Sequence, residues 1–168
     1  MNENISTISF EEATSGNRAN ALKTIFCGGL TAGALDCAAA SLSGVFNGTS
    51  PAIVWQYVAS GLLGKNSYSY GLKSVAIGLL IHFFIAFSVT IIYYAASRQF
   101  PILVHRAILF GTFYGVAVYL IMAYVVTPLS AAAKIPFSIS STVICLLVHI
   151  FCVGLPIALI TRQFAKSG

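Results

Sequence analysis

The stretch SVAIGLLIHFFIAFSVTIIYYAA, residues 74–96, contains no acid, no lysine and no arginine from end to end. About 20 apolar residues in a helix cross the roughly 30 Å hydrocarbon core of a bilayer, so a run of this length reads as a membrane span. Residues 25–44, 107–127 and 139–160 are apolar runs of similar length, the first interrupted by one acid, Asp36. The whole chain agrees with them. Of its 168 residues, 58% are hydrophobic and 8% charged, with a mean hydropathy of +0.89, whereas an ordinary soluble domain is roughly 25% charged. The expectation is an all-α, polytopic membrane protein: a single four-helix transmembrane domain over residues 21–168, preceded by a mobile cytoplasmic tail, residues 1–20. The first run starts only after that polar, partly acidic leader and exceeds the apolar part of a signal peptide, so it reads as a retained span.

Between the first two runs lies NGTSPAIVWQYVASGLLGKN, residues 47–66. Ser50 suits a helix N-cap, Pro51 the first helical position and Gly64 a stop, which predicts a helix over residues 51–63. Its length of roughly 20 Å is too short to span. A broad apolar surface with Trp55 and Tyr57, broken by Gln56 and Ser60, suits a short interfacial or re-entrant helix.

The basic residues set the expected orientation. With four spans, Arg18, Lys23, Arg98, Arg106, Arg162 and Lys166 fall on one side, against Lys65, Lys73 and Lys134 on the other. The positive-inside bias then puts both termini in the cytoplasm. These cations are scattered singly, without an aromatic-interleaved patch, so the net charge of +5 points to headgroups and not to nucleic acid. The partners implied are the lipid bilayer and either a homo-oligomer or a larger membrane complex.

Polar groups inside the spans carry the functional signal. Asp36 is the only carboxylate side chain after Glu12. It lies about 8 residues, roughly 12 Å, from the end of its run. His82, Tyr119 and His149 fall at a similar depth on the other three runs, so each helix brings one polar group to one midplane layer. An ionisable group in hydrocarbon turns inward to a partner or a watery cavity. Asp36 with His82, and His149 next, is therefore the candidate pathway for a proton, ion or small polar solute; the same pairing also serves as structural glue between helices. Gly29-x-x-x-Gly33 and Gly111-x-x-x-Gly115 are small-residue motifs that let helix backbones approach closely. Cys145, His149 and Cys152 share one helical face and form a weak candidate for a soft metal site. Neither a C-x-x-C nor an H-E-x-x-H pattern accompanies them, nor Cys27 and Cys37, so no metal and no cofactor is implied.

The second half resembles a family. IHFFIAFSVTIIYYAASRQFP through GTFYGVAVYLIMAYVVTPLS to HIFCVGLPIALITR is similar to the YagU-like four-span inner-membrane proteins of bacteria. The likeness covers about residues 81–162. It is carried by His82 early in a helix, Phe100-Pro101 at the turn, Gly111 opening the next helix, Pro128 after it, and His149 ahead of Arg162. This chain lacks the tryptophans and the acidic residue of the family's last helix, so no site residue is carried over. The resemblance implies a bacterial inner-membrane protein of uncharacterised activity.

An enzyme is not expected. One membrane carboxylate excludes paired acid/base carboxylates within the chain, and neither a phosphate-cradling loop nor a nucleophile elbow occurs. Two function classes remain: a small permeation or transport protein using the midplane layer, and a non-catalytic accessory or scaffold subunit of a larger membrane complex.

Overall fold

Lipid offers no water to a bare backbone, so apolar runs must satisfy their own N–H and C=O groups, and these do so as helices. A computed structural model describes residues 2–134 and 138–165, with side chains from residue 19 onward. The elements are α1 (Asn2–Phe46), α2 (Pro51–Leu63), a 3₁₀ segment (Gly64–Ser69), α3 (Leu72–Gln99), α4 (Ile102–His105), α5 (Ala107–Ile121), a π-helical stretch (Met122–Val126), α6 (Thr127–Leu129), α7 (Ile139–Val148), a second π-helical stretch (His149–Gly154) and α8 (Leu155–Ala165). No strand occurs among the described residues. Four stretches are long and apolar enough to cross a membrane: Ala19–Phe46, Leu72–Gln99, Ala107–Leu129 and Ile139–Ala165. The chain is an all-helical, multi-pass membrane protein.

Most spans outrun the apolar segments that announced them, because hydropathy marks where lipid begins and a helix continues until a cap or a turn ends it. The leader is the extreme case: its backbone is helical from Asn2 and runs unbroken into the first span. Its side chains through residue 18, and with them the expected tail character and the Arg18 cation, lie outside the described residues, as does Lys166. α2 begins where Ser50 accepts a hydrogen bond from the Ile53 N–H and Pro51 takes the first turn. It ends at Gly64, whose φ of 61° lets its N–H turn back to the Ser60 carbonyl.

The packing is inverted relative to a soluble protein. Large apolar side chains such as Phe26, Leu80, Phe84, Ile92, Ile108, Phe113 and Phe151 are exposed. Most buried positions hold small or hydroxylated residues, among them Ala32, Ala86, Ala107, Ala158, Thr24, Thr90 and Thr161, with Trp55, Val118, Val153 and Ile157 as larger exceptions. Lipid solvates the first set as well as a core would, so helices meet instead through residues that permit close approach. The three buried threonines add no desolvation burden, since each hydroxyl donates to the carbonyl one turn back, Asn20, Ala86 and Ile157 respectively.

The first span packs between the second and the fourth, the third packs on the fourth, and α2 seats against α3 and α1. Tyrosines bridge the second and third spans. The Tyr114 hydroxyl donates to the Val89 carbonyl at 2.6 Å, and the Tyr93 and Tyr114 rings lie 4.9 Å apart. Tyr114→Phe keeps the ring and removes that bond, so it should lower stability by about 0.6 kcal/mol, the mean for interhelical hydrogen bonds in membranes. Reversible unfolding in mixed micelles measures it.

Candidate functional site

All four spans and α2 surround a central cavity of about 340 Å³. Asp36, His82, Tyr119 and His149, the residues expected to share one depth, all line it, together with Trp55, Tyr57 and Cys145. A second cavity of about 440 Å³ opens beside it toward the face that carries α2, bordered by Asn47, Thr49 and Tyr68. Asp36, Tyr57, Cys145 and His149 belong to the walls of both. Toward the opposite face, on the side of the α3–α5 connection and the end of α8, Ala32, Tyr93, Ala107, Val118, Val153, Ile157 and Ala158 form the packed core. Three of these, Ala32, Val118 and Val153, also form part of the cavity wall, so the core begins directly beneath the polar side chains.

The hydrogen bonds of the two histidines fix which nitrogen is available. His82 Nε2 lies 2.8 Å from the Gly33 carbonyl oxygen. A carbonyl only accepts, so Nε2 carries the hydrogen and Nδ1 is the nitrogen that faces Asp36, 3.8 Å from Oδ2. At 3.8 Å the carboxylate and the imidazole are within electrostatic reach and beyond direct hydrogen-bond distance, so a water or solute in the cavity can bridge them. His149 is anchored in the opposite sense: its Nδ1 donates to the Cys145 carbonyl at 2.8 Å, which leaves Nε2 as the acceptor. Tyr119 stands edge-on to the His149 ring at 5.7 Å.

Two aromatic residues of α2 complete the site. Trp55 is 5% exposed, its indole N–H donates to the Ser41 hydroxyl at 3.2 Å, and its ring meets His82 edge-on at 5.1 Å. Tyr57 borders both cavities. Burial, and then the nearby Tyr68, push its phenol above the ordinary range, so it stays a neutral hydroxyl. The sequence left this helix as either interfacial or re-entrant and named neither residue as part of the site. The signal available was Gln56: a polar side chain between two aromatics on a membrane helix needs a buried partner, and it finds the Gly71 carbonyl at 3.2 Å.

The glycine motifs are used differently. Gly29 and Gly33 lie against the Phe87 and Phe83 rings of α3. Gly111 and Gly115 lie against the backbone of the fourth span, where Gly154 faces both. Gly154 begins a Gly-x-x-x-Ala spacing with Ala158, a small-residue motif the sequence reading passed over, and both residues meet Gly111. Gly154 also ends the π-helical stretch that begins at His149, and such stretches often mark functional sites. The wider turns also change the phase of the helix beyond His149. Cys145 and His149 border the central cavity and Cys152 does not, so the three do not share one wall there. Among the described residues no group of three or more His, Cys, Asp or Glu side chains could hold a metal ion.

No family model, no curated protein and no solved structure matches this chain. The functional reading therefore rests on the chemistry of the cavity.

Proposed function

We propose that this chain is a small, non-enzymatic permeation or transport protein that moves a proton, an ion or a small polar solute through the Asp36, His82, Tyr119 and His149 layer. The observation that carries the reading is the central cavity of about 340 Å³ in which all four side chains meet. A structural tie between helices needs a dry, filled layer, because an open cavity forfeits packing and gives nothing in return. Here the carboxyl and both imidazoles border open space, and each imidazole keeps one nitrogen on a backbone carbonyl and the other free for exchange. The apolar core on the side of the α3–α5 connection supports a closed gate there.

The finer placement belongs to the same proposal. α2 is read as re-entrant, supported by the burial of Trp55 and its contact with His82. The likeness to YagU-like proteins and the distribution of Lys and Arg support a bacterial inner membrane with both termini cytoplasmic.

Flux of protons, inorganic ions and small polar solutes into proteoliposomes, measured over several pH values, tests the reading. The parent should conduct. Asp36→Asn, which preserves shape and removes the proton site, should lower flux at least about 100-fold, the scale seen when a positioned proton-transfer group is lost. Unchanged flux in a folded variant, or none in the parent, would reject the pathway and favour the accessory-subunit reading.

A further inference from the structure

A different site lies on the face of the α3–α5 connection, far from the polar layer. Between the start of α5 and the end of α8 there is an open groove of about 430 Å³ lined by His105, Arg106, Arg162, Thr112 and the apolar side chains of Ile108, Leu109 and Phe113. The two guanidinium groups come from different spans. Arg106 immediately precedes Ala107–Leu129, and Arg162 stands in the last turn of α8, so both sit at the level where spans leave the hydrocarbon. Asp36 is the only carboxylate among the described side chains, and it belongs to the midplane layer. Neither arginine therefore has an acidic partner among them.

The groove's other features point the same way. The first turn of α5 has no side-chain cap, and its first helical bond is donated by Phe110 to the Arg106 carbonyl. The N–H groups of Ala107, Ile108 and Leu109 are left at the positive end of the helix beside both guanidinium groups. Below this cationic end, Ile108, Leu109 and Phe113 are 62%, 46% and 62% exposed, and they line the groove from the headgroup level into the hydrocarbon. A phosphate group answers the upper part and an acyl chain the lower. Basic pockets between transmembrane helices bind acidic headgroups in this way.

We infer that this groove binds an acidic phospholipid, its phosphate held between Arg106 and Arg162 and one acyl chain lying along Ile108, Leu109 and Phe113. The inference is independent of the transport reading.

Titration of the purified protein with short-chain phosphatidylglycerol in neutral detergent, followed by native mass spectrometry, tests it. The parent should bind phosphatidylglycerol in preference to phosphatidylcholine of the same chain length. The double variant Arg106→Gln with Arg162→Gln should lose about 30-fold in affinity, as removal of two cations from an anionic contact implies. Lys65→Gln with Lys73→Gln removes as much charge from the opposite face and should leave affinity unchanged. Three results would overturn the proposal: no preference for phosphatidylglycerol in the parent, an equal loss in both double variants, or full competition by inorganic phosphate, which would make the ligand a soluble anion. The first and third use only the parent, so the test survives a double variant that fails to fold.

Discussion

Gly154→Val should dismantle the crossing of the third and fourth spans and lower stability by at least about 3 kcal/mol, the upper part of the range for forcing new atoms into a filled interior. A Cβ at this position would run into the Gly111 carbonyl oxygen and lie 2.5 Å from the Gly115 nitrogen. Both are backbone atoms, so no rotamer change relieves the clash; the helices themselves must separate. Interhelical contact in lipid rests on packing, without the hydrophobic drive that water supplies, so separation is not compensated elsewhere. Gly61→Ala is the matched control, because its Cβ meets only the Ser130 side chain at 3.6 Å and alanine is the better helix former by roughly 0.5–1 kcal/mol. Reversible unfolding in mixed micelles should show a large loss for the first and none for the second. Equal stability of Gly154→Val and the parent would mean that the spans do not cross there.

The comparison between Gly154 and its partners shows what a sequence of this kind makes legible. Gly111 and Gly115 announce a contact face because they repeat at one helical turn. Gly154 is the single glycine of its span, and its Gly-x-x-x-Ala spacing with Ala158 is a fainter signal in a chain rich in alanine, although a Cβ at 154 would meet the backbone of both other glycines. The four spans were legible because lipid imposes one simple rule, a long apolar run. Their true ends were not, since helices continue into water under local rules. Asp36 and His82 stood out for the opposite reason, as costly groups in an apolar run, and the structure brings them within 3.8 Å. The depth argument could align four polar groups in one layer, but not show that the layer encloses open space. That depends on how α2 seats against the bundle, which no periodicity encodes. The π-helical stretches were equally hidden: a change of helical phase leaves composition and hydropathy untouched.

Seating of α2 is also the point at which one added side chain decides the environment of the site. Gly78→Val should displace α2 from α3 and expose Trp55 while leaving the four spans helical. A Cβ at position 78 would run into the Trp55 carbonyl oxygen and lie 2.9 Å from its carbon and 3.3 Å from the Ala59 nitrogen. These again are backbone atoms, so α2 must move as a body. What holds it is modest: the Trp55 indole on Ser41, the Gln56 amide on the Gly71 carbonyl, and the Ala131 N–H on the Gly61 carbonyl, each contributing about 0.5–1.5 kcal/mol. A clash with main chain outweighs them together. Trp55 is the only tryptophan in the chain, so fluorescence reports the change without a label. Acrylamide quenching should rise several-fold in Gly78→Val and the emission should shift to the red, while circular dichroism keeps its helical signal. Leu80→Val, at a position already 71% exposed, should leave both unchanged. Because the Trp55 ring lies against His82, the same displacement brings water to the imidazole that faces Asp36. Proton flux that rises with the quenching, and vanishes when Asp36→Asn is added, would identify α2 as the barrier over the layer. Quenching that stays at the parent level would mean that α2 is not held at Gly78, and the barrier would have to be sought elsewhere in the bundle.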